Sequence, residues 1–276
     1  MSFREQYEAS AAANDSLLCV GLDPDPERMP AGVGVVEYLT NVIDATSDLV
    51  CCYKPNAAFY EAEDGGGFET LRAVVEAVPD GVPVLLDAKR GDIGNTARFY
   101  AQAIFEQLGV DAVTLNPYLG EDALTPFFEY EDRHSFVLCR TSNPSAVDLQ
   151  DLAAGEGGRP LYEHVALLAN GWNRHDNVGL VVGATYPQEA ARIRELAPDL
   201  IQLVPGVGAQ DGDIAAAVRA CTDAAGGGVI INASRGVLYA GRDSAGRDGG
   251  DGDIASYAKA AREAAIRLRD AINAAR

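Results

Sequence analysis

Eight short apolar runs, each followed by a loop and usually by an amphipathic stretch, limit what this 276-residue chain can fold into. They cover residues 17–23, 50–56, 82–89, 112–118, 135–143, 178–184, 200–207 and 228–234. Several are almost continuous in Val, Ile, Leu and Cys, the pattern of parallel strands covered on both faces. Helical spacing of apolar residues fills the intervals at 35–49, 68–78, 95–108, 121–130, 160–172, 187–196 and 211–221, and 254–275 closes the chain. A further helix is expected at 4–13. Eight strand–helix units in this length predict an α/β protein: a single (β/α)₈ barrel domain over 1–276 with an extra N-terminal helix. A doubly wound open sheet shares the alternation. It explains neither the eight units nor the absence of a G-x-G-x-x-G turn.

Composition narrows the class. Hydrophobic residues make up 47% of the chain, enough for a full core, yet no run of about 18 apolar residues is present to span a membrane. The start, Met1-Ser2-Phe3-Arg4-Glu5-Gln6, lacks the apolar stretch of a signal peptide, so a cytoplasmic protein is expected. The net charge is −19, from 41 acidic against 22 basic residues, with no basic cluster. Such a surface repels nucleic acid and anionic lipid. Acid excess with only three lysines, Lys54, Lys89 and Lys259, suggests a halophilic protein whose self-repulsion is screened by a high-salt cytosol. An ordinary acidic protein from an Arg-rich, Ala-rich genome has the same composition. Cys19, Cys51, Cys52, Cys139 and Cys221 form no C-x-x-C and read as small buried hydrophobes in a reducing compartment. His134, His164 and His175 are scattered near helix or loop segments, so no histidine-based zinc site is expected. Residues 143–159 and 239–253 read as mobile, the second having too few apolar side chains to pack.

Two of the three lysines end apolar runs, and one lies in Asp87-Ala88-Lys89-Arg90-Gly91-Asp92-Ile93-Gly94-Asn95-Thr96. Residues two apart on a strand share a face, so Asp87 and Lys89 point the same way at the strand's carboxyl end. In a barrel that rim carries the ligand site. It would hold Asp23, Lys54, Asp87, Lys89 and Asp92, an array of alternating charge. That array fits either a structural ion-pair network or a lysine kept protonated by carboxylates as a general acid. Gly-Asp-Ile recurs at 91–93, 212–214 and 252–254, each time at an expected helix start, so Asp92 also fits an N-cap. The loops after strands 7 and 8 carry Pro205-Gly206-Val207-Gly208-Ala209-Gln210 and Ser234-Arg235-Gly236. Gly206 and Gly208 let backbone N–H groups approach an anion, and Arg235 can grip two phosphate oxygens.

With these residues in order, the chain resembles the orotidine 5′-phosphate decarboxylase family, in its longer bacterial and archaeal branch. Asp87-x-Lys89-x-x-Asp92-Ile93-x-x-Thr96 carries the resemblance. Gly21-Leu22-Asp23, Lys54-Pro55-Asn56, Thr141-Ser142-Asn143, Pro205-Gly206-Val207-Gly208 and Arg235-Gly236 extend it over essentially the whole chain. The resemblance implies conversion of orotidine 5′-phosphate to UMP and CO₂, with neither metal nor organic cofactor. It implies that Lys89 protonates C6, that Asp87 lies against the leaving carboxylate, and that Asp92 completes the array from the partner subunit of a homodimer. Thr96 would likewise reach the neighbouring ribose. Asp23 and Lys54 would bind ribose hydroxyls, Ser142 (or its neighbour Thr141) the pyrimidine, and Pro205, Gln210 and Arg235 the phosphate end. Gly206, Gly208 and Gly212 would lie in a closing lid. Three rivals stay open at this point: a Mg²⁺-dependent decarboxylase of the same superfamily, a Schiff-base aldolase using Lys89 or Lys54, and a non-catalytic nucleotide-binding barrel. A metal would be repelled by Lys54 at the end of strand 2. An imine needs a neutral lysine, and mere binding has no use for a buried Asp–Lys–Asp array.

Overall fold

The computed structural model describes residues 1–207, 213–245 and 254–276. Its main sheet has eight parallel strands: β1 (Leu18–Gly21), β2 (Cys52–Lys54), β3 (Leu85–Arg90), β4 (Ala112–Leu115), β5 (His134–Arg140), β6 (Val178–Val182), β7 (Gln202–Pro205) and β8 (Val229–Ala233). They hydrogen-bond in the order β2-β1-β8-β7-β6-β5-β4-β3. Parallel bridges Tyr53↔Val84 and Asn56↔Asp87 bring β2 back to β3 and close the circle. The expected (β/α)₈ barrel is therefore present, each strand shorter than its apolar run and inside it, except that β3 ends at Arg90 and β5 begins at His134, each one residue beyond.

The strands bury both faces, but the two faces meet different cores. On β8, Ile230 points into the barrel, while Val229 and Ile231 point out to the helices. Cys19 and Val20 on β1 divide in the same way. The barrel interior is a small layer that includes Cys19, Cys52, Leu85, Phe136, Leu203 and Ile230. Gly179 on β6 makes room for it, because a Cβ there would stand 2.7 Å from both the Phe136 ring and the Ile201 carbonyl. All five cysteines are buried and free.

The N-terminal helix α1 (Phe3–Ala13) stoppers the amino-terminal end of the barrel. Ser2 caps it in a reciprocal box with Glu5. Phe3 is fully buried in the interior layer, and the Tyr7 hydroxyl donates to the Val229 carbonyl at 2.8 Å. The outer layer begins with α2 (Val35–Thr46), α3 (Ala57–Glu61), α4 (Gly67–Glu76), α5 (Gly94–Gln102) and α6 (Thr125–Phe128). It continues with α7 (Leu161–Trp172), α8 (Pro187–Leu196), α9 (Ile214–Cys221), α10 (Arg235–Leu238), α11 (Ala240–Ala245) and α12 (Ile254–Asn273). The stretch 121–130 is less helical than its spacing predicts: a 3₁₀ turn at Glu121–Ala123 precedes a single α-turn at Thr125–Phe128. Among the described residues, no helix is long and apolar enough to cross a membrane.

Three expectations are corrected. Residues 143–159 are built, with a 3₁₀ turn at Pro144–Asp148 and a two-residue hairpin pairing Ala153–Ala154 with Arg159–Pro160. Residues 240–245 form α11, and Tyr239 before it is buried; the rest of the 239–253 stretch, from 246, lies outside the described residues. His134 belongs to neither helix nor loop but opens β5. Its ring stands 5.0 Å from Phe3 and 4.7 Å from Phe136.

Burial of His134 pushes its imidazole well below the ordinary histidine value, with the Arg4 cation adding to the effect. The folded state thus refuses a proton that the unfolded chain accepts below a pH of about 6.5. This contribution to stability is intact above that pH and falls as the pH drops. One such group removes up to about 1.4 kcal/mol per pH unit. Urea midpoints at pH 7.5 and 5.5 should therefore separate less in His134→Leu than in the parent. Equal separation would assign the acid sensitivity elsewhere.

Candidate active site

The charged residues expected at the carboxyl rim meet around one carboxylate. The Asp87 side chain is largely buried; its Oδ1 accepts from Lys89 Nζ at 2.7 Å and its Oδ2 from Lys54 Nζ at 3.3 Å. Asn56 Nδ2 adds a bond to Oδ2 at 3.2 Å, and the Thr114 hydroxyl donates to Oδ1 at 2.8 Å. Burial opposes ionisation of Asp87, but the two ammoniums and these donors overcome it and hold its carboxyl down to about 2. Burial likewise opposes the charge on Lys54, and Asp87 with Asp23 more than offsets this, raising the lysine above its ordinary value. An unpaired ammonium buried as Lys54 is would cost several kcal/mol. Neither member of the pair is tolerable here alone.

Lys89 reaches this cluster by breaking the strand. The ladder between β3 and β4 shifts register between Leu86 and Arg90, and Lys89 takes φ +48°, a left-handed conformation rare outside glycine. Such a backbone costs about 1–3 kcal/mol and persists where its surroundings enforce it. The Thr114 hydroxyl supplies that enforcement, accepting the Lys89 N–H at 2.9 Å while donating to Asp87. Simple alternation predicted the pairing of Asp87 with Lys89. The bulge achieves it, leaving the Lys89 side chain half exposed.

Asp23, Lys54, Asp87, Pro205 and Arg235 line a cleft of about 280 Å³, together with Asn56, Gly206, Asn232 and Tyr239. Asp23 Oδ1 accepts the Asn56 N–H at 3.1 Å. Gly21 must lack a side chain, because a Cβ would collide with the Ser234 hydroxyl that precedes Arg235. Gly206 turns the chain out of β7 at φ +95°. Gln210, Gly208 and Gly212 lie outside the described residues.

Not all the expected residues enter the cleft. Lys89 is not among its lining residues and meets it only through Asp87, and Asp92 and Thr96 stand at the start of α5, away from that lining. Asp92 does not cap that helix: Ile93 occupies the N-cap position, and the Asp92 carboxylate accepts the Ile93 N–H at 2.8 Å. Asp213, in the second Gly-Asp-Ile, does cap α9, accepting from Ala216 N at 3.1 Å. Ser142 sits just beyond β5, against Gly183.

Other residues were not singled out from sequence. Thr114 is the one with a legible signal, a lone hydroxyl in the apolar run Ala112-Val113-Thr114-Leu115. Tyr239 gave none. Its hydroxyl accepts from Asp25 N and donates to the Asp23 carbonyl, both at 2.7 Å, which fixes the loop carrying Asp23. Arg28, also on the cleft, lies 4.5 Å over the Tyr239 ring.

Known proteins resemble this chain along its whole length. Residues 16–247 match the model of the orotidine 5′-phosphate decarboxylase / HUMPS family. An orotidine 5′-phosphate decarboxylase of Roseiflexus castenholzii is 51% identical, over 100% of this chain and 98% of its own length. That of Thermomicrobium roseum is 49% identical, over 99% and 95%. The structure of Leishmania donovani OMP decarboxylase superposes with a TM-score of 0.85 at 44% identity, covering 99% of this chain and 98% of that one. A family-model match over residues 16–247 and a full-length relative at half identity, on the same barrel fold, place the chain in the orotidine 5′-phosphate decarboxylase / HUMPS family.

Proposed function

We propose that this protein decarboxylates orotidine 5′-phosphate to UMP, the closing step of pyrimidine nucleotide synthesis, without a metal or organic cofactor. The observation that carries this reading is the Lys54–Asp87–Lys89 array set beside the Pro205-Gly206 and Arg235 loops. Loss of CO₂ from C6 leaves a carbanion that the pyrimidine ring delocalises poorly. A fixed ammonium aimed at that carbon stabilises the developing charge before any proton moves. Lys89 takes that role and then delivers its proton to C6. Asp87 faces the departing carboxylate and orients Lys89. Asp23 and Lys54 hold ribose hydroxyls, Ser142 reads the base, and Pro205, Gln210 and Arg235 hold the phosphate end. Phosphate binding far from C6 supplies orientation that is realised in the transition state.

Two rivals lose ground on chemistry. The Mg²⁺-dependent reading calls for an acidic ligand at the end of β2, where this chain has the Lys54 ammonium, which repels a divalent ion. An imine requires a free amine, whereas Lys89 Nζ is committed to an ion pair with Asp87 Oδ1 at 2.7 Å.

The active form in this reading is a homodimer in which Asp92 and Thr96 serve the neighbouring site. Ile93 next to Asp92, Phe99 on α5 and Tyr118 in the 3₁₀ turn after β4 support it: they are 66%, 58% and 76% exposed, and the segments after β3 and β4 touch where Asn116 N donates to Arg90 O at 2.7 Å. Exposed apolar clusters of this kind mark association surfaces. The acidic composition fits a cytoplasm rich in salt. The test is the ultraviolet absorbance of orotidine 5′-phosphate incubated with the protein in EDTA, from low salt to about 2 M KCl, a level that screens charges beyond a few ångströms. Steady conversion to UMP, rising with KCl, is expected. No conversion by folded protein, with or without Mg²⁺, would sink the assignment.

A further inference from the structure

Arg140 ends β5 and is 1% exposed, an unusual place for a guanidinium, and its partners lie in 143–159, the stretch whose composition reads as a mobile loop. Its Nη1 donates to Gln150 Oε1 at 3.2 Å, and its Nη2 lies 3.3 Å from Asp151 Oδ1. The guanidinium carbon stands 4.0 Å from the centroid of the Tyr186 ring. Gln150 passes the connection back to the residue after Arg140. Its Oε1 accepts the Thr141 N–H at 2.9 Å, and its Nε2 donates to the Thr141 hydroxyl at 2.7 Å. That hydroxyl donates in turn to Asn143 Oδ1 at 2.7 Å. On the other side, Gly183 N donates to the Arg140 carbonyl at 2.7 Å. A Cβ on Gly183 would stand 2.7 Å from Ser142 N, so Ser142 is seated against bare backbone.

We propose that Arg140 and Gln150 are positioning residues for pyrimidine recognition: they tie residues 150–151 to 140–141 and so fix the Thr141-Ser142 edge that meets the base. The inference rests on the decarboxylase reading of Ser142 and extends it to two residues that touch no substrate. A guanidinium withdrawn from water must be paired, and charge-assisted bonds with a stacked ring hold it in one geometry. Gln150 then presents an acceptor and a donor to a single residue, which sets both the height and the rotation of the Thr141 peptide.

The test separates the base from the rest of the ligand. UMP and ribose 5-phosphate share the phosphate and ribose contacts, and only UMP reaches the loop. In Gln150→Leu the inhibition constant of UMP should rise about tenfold or more. That of ribose 5-phosphate should stay within about twofold, as for a distant site. Gln150→Glu, which keeps the acceptor for Arg140 and Thr141 N, should recover most of the UMP affinity. Arg140→Met should follow Gln150→Leu; if it fails to fold, the two Gln150 variants decide alone. Equal weakening of both ligands, or unchanged UMP binding, overturns the proposal. Parent protein that neither turns over orotidine 5′-phosphate nor binds UMP overturns the underlying reading instead, and is recognised before any variant is made.

Discussion

Lys89→Ala is expected to lower the turnover of orotidine 5′-phosphate by at least about 10⁴-fold while UMP still binds, because on the mechanism proposed above the variant loses both a preorganised charge and the proton donor. Removing one neutral donor from an oxyanion site costs about 10²–10³-fold. Here a full charge and the acid are lost together. The side chain is half exposed and, among the described residues, bonded to Asp87 alone, so its removal empties no core. Asp87 keeps Lys54, Asn56 and Thr114 as partners and stays charged near neutral pH. Single-turnover decarboxylation, with UMP binding as a control for folding, is the measurement. Turnover within tenfold of the parent would remove Lys89 from the chemistry. Loss of UMP binding in step with turnover would point to a ligand-holding role.

Mixing two inactive variants should restore activity. Lys89→Ala damages a site from within its own chain, and Asp92→Ala, in the dimer proposed above, damages the site of the neighbour. After unfolding and joint refolding in equal amounts, half of the dimers are hybrids. By two-fold symmetry each hybrid has one site with both lesions and one with neither, so the mixture regains about a quarter of parental activity. The structure motivates this: Asp92 bonds its own loop, does not line the cleft with Asp87, and is bordered by the exposed Ile93. A mixture no more active than its components would confine each site to one chain. Asp92 would then be a loop residue, its carboxylate held by the Ile93 N–H.

Asp87 also sets an acid limit on this site. Its folded-state value near 2 lies below the ordinary carboxylate value of about 3.9. The stability it contributes is complete above that ordinary value and is lost as pH falls toward 2. The His134 contribution is lost at higher pH, so moderate acid should weaken the barrel floor before it discharges the rim.

Much of the fold was legible because parallel strands in a barrel are buried twice over. Runs such as Val178-Gly179-Leu180-Val181-Val182 admit almost nothing polar, and the eight that recur count the strands. The rim was legible for a related reason: charged residues closing such runs, Lys54 and Lys89, have no place but a strand end. Residues 143–159 were misread because their order comes from Arg140 and Gln150, and nothing in a polar, Gly-rich composition signals that a buried arginine holds it. His134 was misplaced because its burial depends on α1, whose Phe3 reaches across the barrel floor to cover it.

The sequence alone determined the number and order of the strand–helix units and the residue types that could stand at their ends, because period and burial are local properties of the chain. Tertiary structure decided which of those residues meet. The register shift at Leu86–Arg90 and the positive φ of Lys89 turn its ammonium onto Asp87, and Thr114, from the next strand, holds the shift in place. Barrel closure brings Lys54 of β2 to within 3.3 Å of the same carboxylate through a contact 33 residues away in the chain. No spacing rule encodes that distance. It follows from the parallel pairing of eight strands around a closed circle, which places residues far apart in sequence at one height on one rim.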